Sequence, residues 1–138
     1  MAVLVDTSAL VALVDAGDED HERVARYVLA TDDVLLVPIT VLPEADYLIT
    51  LRVGLRGELA VLRDIVAGGF RLEGVTTVDV ARCAELIDQY GDSDIGFVDA
   101  SIVAVAERLN VPRLLTLDRR HFTMIRPRHC EYFELVLF

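Results

Sequence analysis

Two stretches near opposite ends of the chain share one form: Val3-Leu4-Val5-Asp6 and Leu114-Leu115-Thr116-Leu117-Asp118. Each is a short, almost wholly apolar run that stops on a carboxylate. A continuous apolar run of this length suits a strand covered on both faces, the pattern of parallel sheets flanked by helices. Helical sequence follows the first run at once, and a hydroxyl of Ser8 or Thr7 can cap it. If both strands are parallel members of one sheet, Asp6 and Asp118 share its carboxyl edge, where open α/β sheets place their sites. One acid in that position reads equally well as a turn residue. Two make a shared site the better reading.

The rest of the chain alternates in the same way. Helices are predicted over residues 8–15, 19–31, 40–53, 58–67, 76–90 and 97–110, and strands over 34–37, 70–75 and 133–137 in addition to the two above. Pro43 falls within the first turn of its helix, where a missing N–H is tolerated. Gly68-Gly69 stop the fourth helix, and Thr76-Thr77 with Asp79 open the fifth. The expected fold is α/β: a single domain over residues 1–138, an α/β/α sandwich with a central, mainly parallel sheet of four to five strands.

No uninterrupted apolar run approaches the ~18 residues of a membrane span. The apolar start is short, lacks a basic flank and is interrupted by Asp6, unlike a signal peptide. A cytoplasmic protein with no membrane partner is therefore expected, with Cys83 and Cys130 as reduced thiols lacking metal-site spacing. The 23 acids and 13 bases leave a net charge of −10, which on its face argues against a nucleic-acid partner. Two details soften that. All 13 bases are arginines, which can grip phosphate with two parallel N–H groups. The run from Arg119 to His129 also carries four arginines and two histidines with no acid.

Two further acids bear on a site. Asp99 lies in the first turn of the helix beginning at Phe97, where the helix dipole alone favours a carboxylate by about 0.3–1 kcal/mol. Glu44 lies near the start of the 40–53 helix, at one edge of its apolar face, and Asp46 lies as far out on the other flank. Periodicity does not choose between them, and either reads as a solvated helix charge. Carboxylates that converge on a sheet edge repel one another unless they share protons or hold a hard cation. Oxygen ligands without Cys or His favour Mg²⁺ or Mn²⁺. Such ions are usual where a phosphate ester is hydrolysed.

Four segments taken in order resemble the PIN-domain family, most closely the bacterial VapC toxins of toxin–antitoxin pairs. They are Val5-Asp6-Thr7-Ser8-Ala9, Pro43-Glu44, Val98-Asp99-Ala100 and Thr116-Leu117-Asp118-Arg119-Arg120-His121-Phe122. The likeness covers essentially the whole chain. It implies that Asp6, Glu44, Asp99 and Asp118 hold Mg²⁺ or Mn²⁺ and cleave RNA by in-line hydrolysis. It further implies that Asp94 matches a more variable acid that sometimes joins the metal site, and that Thr7 or Ser8 and Thr116 support the ligands. A homodimer and a cognate VapB-type antitoxin whose C-terminal segment lies in a groove and blocks the site are implied as well. Arg119, Arg120 and Arg126 are the candidates for RNA phosphate contacts.

Other acid-at-strand-end proteins fit less well. Receivers and haloacid-dehalogenase-like phosphatases set a lysine against the phosphoryl group, and this chain has none. The phosphatases also need Asp-x-Asp, where Asp6-Thr7-Ser8 stands. A metal-dependent adhesion module needs a second serine at Leu10. The remaining alternative keeps the fold and drops the activity: a PIN-like interaction protein working through a partner.

Overall fold

A computed structural model describes all residues, 1–138. Five strands form one sheet: β1 (Ala2–Val5), β2 (Val34–Pro38), β3 (Arg71–Glu73), β4 (Arg113–Leu115) and β5 (Glu134–Leu135). Their spatial order is β3-β2-β1-β4-β5, and every pairing is parallel. The sheet is thus wholly rather than mainly parallel. Parallel neighbours need crossovers, and seven helices supply them: α1 (Thr7–Val14), α2 (His21–Ala30), α3 (Val41–Arg52), α4 (Leu55–Val66), α5 (Thr77–Tyr90), α6 (Phe97–Leu109) and α7 (Arg119–Met124). No helix is long and apolar enough to cross a membrane.

The centre of the sheet explains the apolar runs. Val3, Leu4 and Val5 are successive residues, so their side chains alternate between faces, yet all are at most 1% exposed. Helices therefore cover both faces. α1 packs with α2, α3 and α4, and α5 packs along α6. α6 contributes an unbroken buried run from Ala100 to Ala106, as its alanine-rich, weakly polar sequence requires.

The strand order reverses direction beside β1, whose neighbours are β2 and β4. A crevice opens at such a switch point, outside the carboxyl ends of the strands. The register Leu4↔Leu114 and Val5↔Leu115 continues one step further, because the Asp6 N–H donates to the Leu115 carbonyl at 3.0 Å. Asp6 is thereby level with Thr116.

Three local expectations are corrected. Helix α1 is capped by Asp6 itself, not by Ser8 or Thr7: Asp6 is extended (φ −87°, ψ 161°) and its carboxylate accepts the Thr7 N–H. Strand β4 ends at Leu115 rather than Leu117, since Thr116 and Leu117 turn toward the site. Asp118 is consequently not the strand's last residue but the cap of α7, a helix within the basic run where none was expected. Cys83 and Cys130 are free, and burial pushes the Cys83 thiol up to about 11, which leaves it unreactive.

Candidate metal centre

At the carboxyl edge between β1 and β4 lies a cavity of about 380 Å³, lined by acids from four separate elements. Asp6 comes from the end of β1, Glu44 from the first turn of α3, Asp99 from the first turn of α6, and Asp118 from the cap of α7. All four line the cavity. Of the pair that periodicity left open, Glu44 faces it. Asp46 instead lies against Glu58 of α4, whose carboxyl it pushes upward by hydrogen bonding.

Asp6 is fixed from three sides. Its Oδ1 accepts the Thr7 N–H at 2.7 Å, and its Oδ2 accepts the Thr116 hydroxyl at 2.7 Å and the Ser8 hydroxyl at 3.1 Å. Those hydroxyls also accept from the chain beyond β4. The Leu117 N–H donates to Ser8 Oγ, and the Asp118 N–H donates to Thr116 Oγ1, both at 3.0 Å. Thr116 and Ser8 therefore lock the path of residues 116–118 onto Asp6, so that placing one carboxylate places the other. Asp6 is 5% exposed. Burial pushes its carboxyl above the usual range, against the pull of those three hydrogen bonds, and Asp118 adds repulsion.

Asp118 closes the other side. Its Oδ1 accepts the His121 N–H at 3.0 Å. His121 Nδ1 lies 2.8 Å from Asp118 Oδ2 and 3.4 Å from Asp99 Oδ2. His121 Nε2 lies 3.1 Å from the Ser93 carbonyl. The ring thus bridges the two carboxylates and the backbone of Ser93. Ligand atoms of Asp99, Asp118 and His121 fall within 4.8 Å of one another.

The electrostatics follow from the crowding. Asp99 is pushed up to about 6, first by burial and then by the charges of Asp6, Asp118 and Glu44, with His121 opposing. Thr7 lines the same cavity, and its hydroxyl is buried without any partner in the protein. Repelling carboxylates, hard oxygen donors and an unpaired buried hydroxyl fit a hard divalent cation and its water shell.

Other predicted residues lie outside. Asp94 is exposed, in the left-handed region (φ 63°), and does not line the cavity. Neither do Arg119, Arg120 or Arg126. The Arg119 guanidinium stacks over Phe138 at 4.8 Å and that of Arg126 over Tyr132 at 4.3 Å. Sequence reasoning missed two charged lining residues, Asp18 and Arg52, and the apolar Val11, Leu48 and Leu117. Arg52 was findable: Glu44, Leu48 and Arg52 are four apart on one helix, hence on one face.

This fold and edge of acids define a class. The chain matches the PIN domain over residues 3–126, and it belongs to that family. Within it the chain groups with the VapC proteins. "Ribonuclease VapC26" of Mycobacterium tuberculosis is 40% identical over 125 residues, which are 91% of this chain and 93% of the relative. The crystal structure of VapC20 of the same organism, titled a sarcin–ricin loop cleaving toxin, superposes with a TM-score of 0.80. Its sequence is 27% identical, and the match covers 86% of this chain and 92% of that one. The family resemblance read from the four segments is borne out.

Proposed function

We propose that this protein is a Mg²⁺- or Mn²⁺-dependent endoribonuclease toxin that cleaves cellular RNA in the cytoplasm and so inhibits translation and growth. The observation that carries the reading is the convergence of Asp6, Glu44, Asp99 and Asp118 on one cavity, in a chain whose relatives are ribonucleases. Asp6, Asp99 and Asp118 would hold the cation, with Glu44 at the rim. A divalent ion there supplies charge neutralisation at the phosphoryl oxygens and an activated water for in-line hydrolysis. The protein's own part is placement. Thr116, Ser8 and the Thr7 N–H aim Asp6, His121 holds Asp99 and Asp118 together, and α6 presents Asp99 at its amino end. Asp94, exposed and outside the cavity, is not among the proposed cation ligands.

A VapB-type antitoxin and a homodimer belong to the same reading. Uncovered apolar surface supports protein partners. Leu13, Val14, Val28, Leu29, Val61 and Phe70 line a groove of about 390 Å³ beside α1, the helix whose Val11 faces the acidic cavity. Tyr47, Leu51 and Leu55 are also exposed on α3 and α4. An antitoxin segment seated in that groove would reach the acids along α1.

The test is cleavage of total cellular RNA with the ends mapped, in Mn²⁺ and in EDTA. An RNA carrying the sarcin–ricin loop, the substrate named for VapC20, is the first defined one to try. Discrete cuts that require the metal are expected. Cuts that persist in EDTA would overturn the metal mechanism. A protein that binds an antitoxin but cuts neither RNA would instead favour the non-catalytic, partner-binding alternative.

A further inference from the structure

We propose that Arg52 is the phosphate-gripping residue of the cavity, parked on Asp18 until RNA enters; this rests on the ribonuclease reading above. The cavity lining holds five carboxylates, from Asp6, Asp18, Glu44, Asp99 and Asp118, and one cationic side chain, Arg52. A polyanionic substrate entering such a lining needs a fixed cation as well as bound metal, and Arg52 is the one positioned to meet it.

The state of the other arginines sharpens the assignment. Arg82 is engaged with Glu107 and Glu85, Arg108 with Asp79 and Glu73, Arg113 with Asp33 and Glu134, and Arg128 with Glu85. Arg119 and Arg126, the residues favoured from sequence, lie over aromatic rings and away from the cavity. Arg52 is different. Its side chain is 50% exposed, and its one charged neighbour is Asp18 Oδ2, at 3.5 Å. That spacing is loose for an N⁺–H···O⁻ bond.

The two halves of this pair are unequally held. Asp18 is fixed in the turn between α1 and α2, where its Oδ1 accepts the Asp20 N–H at 2.8 Å. Arg52 stands in the last turn of α3 on a long, flexible stem. Arg52 is the half-exposed partner and Asp18 the largely covered one, so exchanging the carboxylate for a phosphate requires only rotation of the Arg52 side chain. Its planar fork suits a phosphate's two oxygens. Asp18 serves as the placeholder that keeps Arg52 from collapsing onto the metal ligands.

The experiment measures binding of a labelled single-stranded RNA of mixed sequence across a salt series. It uses the Asp99→Asn protein in Mn²⁺ sufficient to saturate its weakened site, with and without Arg52→Ala. Arg52→Ala should weaken binding roughly tenfold and lower the slope of log affinity against log salt by about 0.7, the loss of one phosphate contact. Its melting temperature should stay within about 1 °C, since an exposed ion pair contributes little. Arg52→Lys should keep the salt slope while binding less tightly. Asp18→Asn should bind RNA several-fold more tightly. An unchanged slope in Arg52→Ala, or weaker binding by Asp18→Asn, overturns the inference and leaves the nuclease reading standing. Absence of RNA binding by the metal-saturated parent protein overturns the two together.

Discussion

Asp99 sits where burial and three other carboxylates act on one group, and its value near 6 has a defined consequence for stability. A carboxyl raised above its ordinary range in the folded protein favours folding while protonated. That contribution is complete below about pH 4 and is lost as pH rises through about 6. Metal-free Asp99→Asn protein should therefore melt higher than the wild type at pH 7.5, by about 3 °C for each kcal/mol of repulsion relieved. The gap should close by pH 4. Thermal unfolding of both proteins across pH checks this, and the same variant should lack RNA cleavage altogether. Thr116 supports a second prediction. It is fully buried, and it donates to Asp6 while accepting from Asp118. Thr116→Val leaves the Asp118 N–H unpaired and Asp6 short of a donor, which should cost about 1–3 kcal/mol in urea unfolding. It should also weaken Mn²⁺ binding by about 10–100-fold, the usual range for a group that orients a ligand.

At the level of elements, the junction of α3 and α4 controls where Glu44 and Arg52 stand. Gly54 turns the chain there with φ +99°, and Gly57 lets the helices approach. A Cβ at Gly57 would lie 2.8 Å from Val53 Cγ1 and 2.9 Å from Ile49 Cγ2. Gly57→Ala should thus cost about 1–3 kcal/mol by overpacking and reduce cleavage by tilting α3, measurable as paired unfolding and activity assays. The elements differ in how well the sequence announced them. Strand β1 and helix α6 were legible because burial on all sides leaves an unbroken apolar run, and the Thr76–Asp79 capping box marked α5 at its true start. Helix α7 was not legible. Its six residues, Arg119 to Met124, are too few to show a helical period, and only Phe122 is buried. The acids at Asp6 and Asp118 could be paired from sequence because parallel strands share an edge. Nothing within α3 distinguished Glu44 from Asp46, since their fates depend on β1 and α4, elements outside their own helix.

For the whole molecule, the net charge of −10 is a cost to any RNA-binding function, and its distribution suggests how that cost is met. Arg82, Arg108 and Arg113 are tied into ion pairs on α5, α6 and β4, while the densest carboxylates converge on the β1–β4 crevice. A divalent cation taken up there would offset two of those negative charges at the place RNA approaches. The proposed cation site is built from acids that four elements deliver. Equilibrium titration with Mn²⁺ tests it most directly, comparing the wild type with Asp99→Asn and Asp118→Asn under conditions where all three are folded. The account predicts saturable binding by the wild type, weakened at least tenfold in each variant and diminished as pH falls below about 6. Equal Mn²⁺ affinity in all three proteins would contradict it.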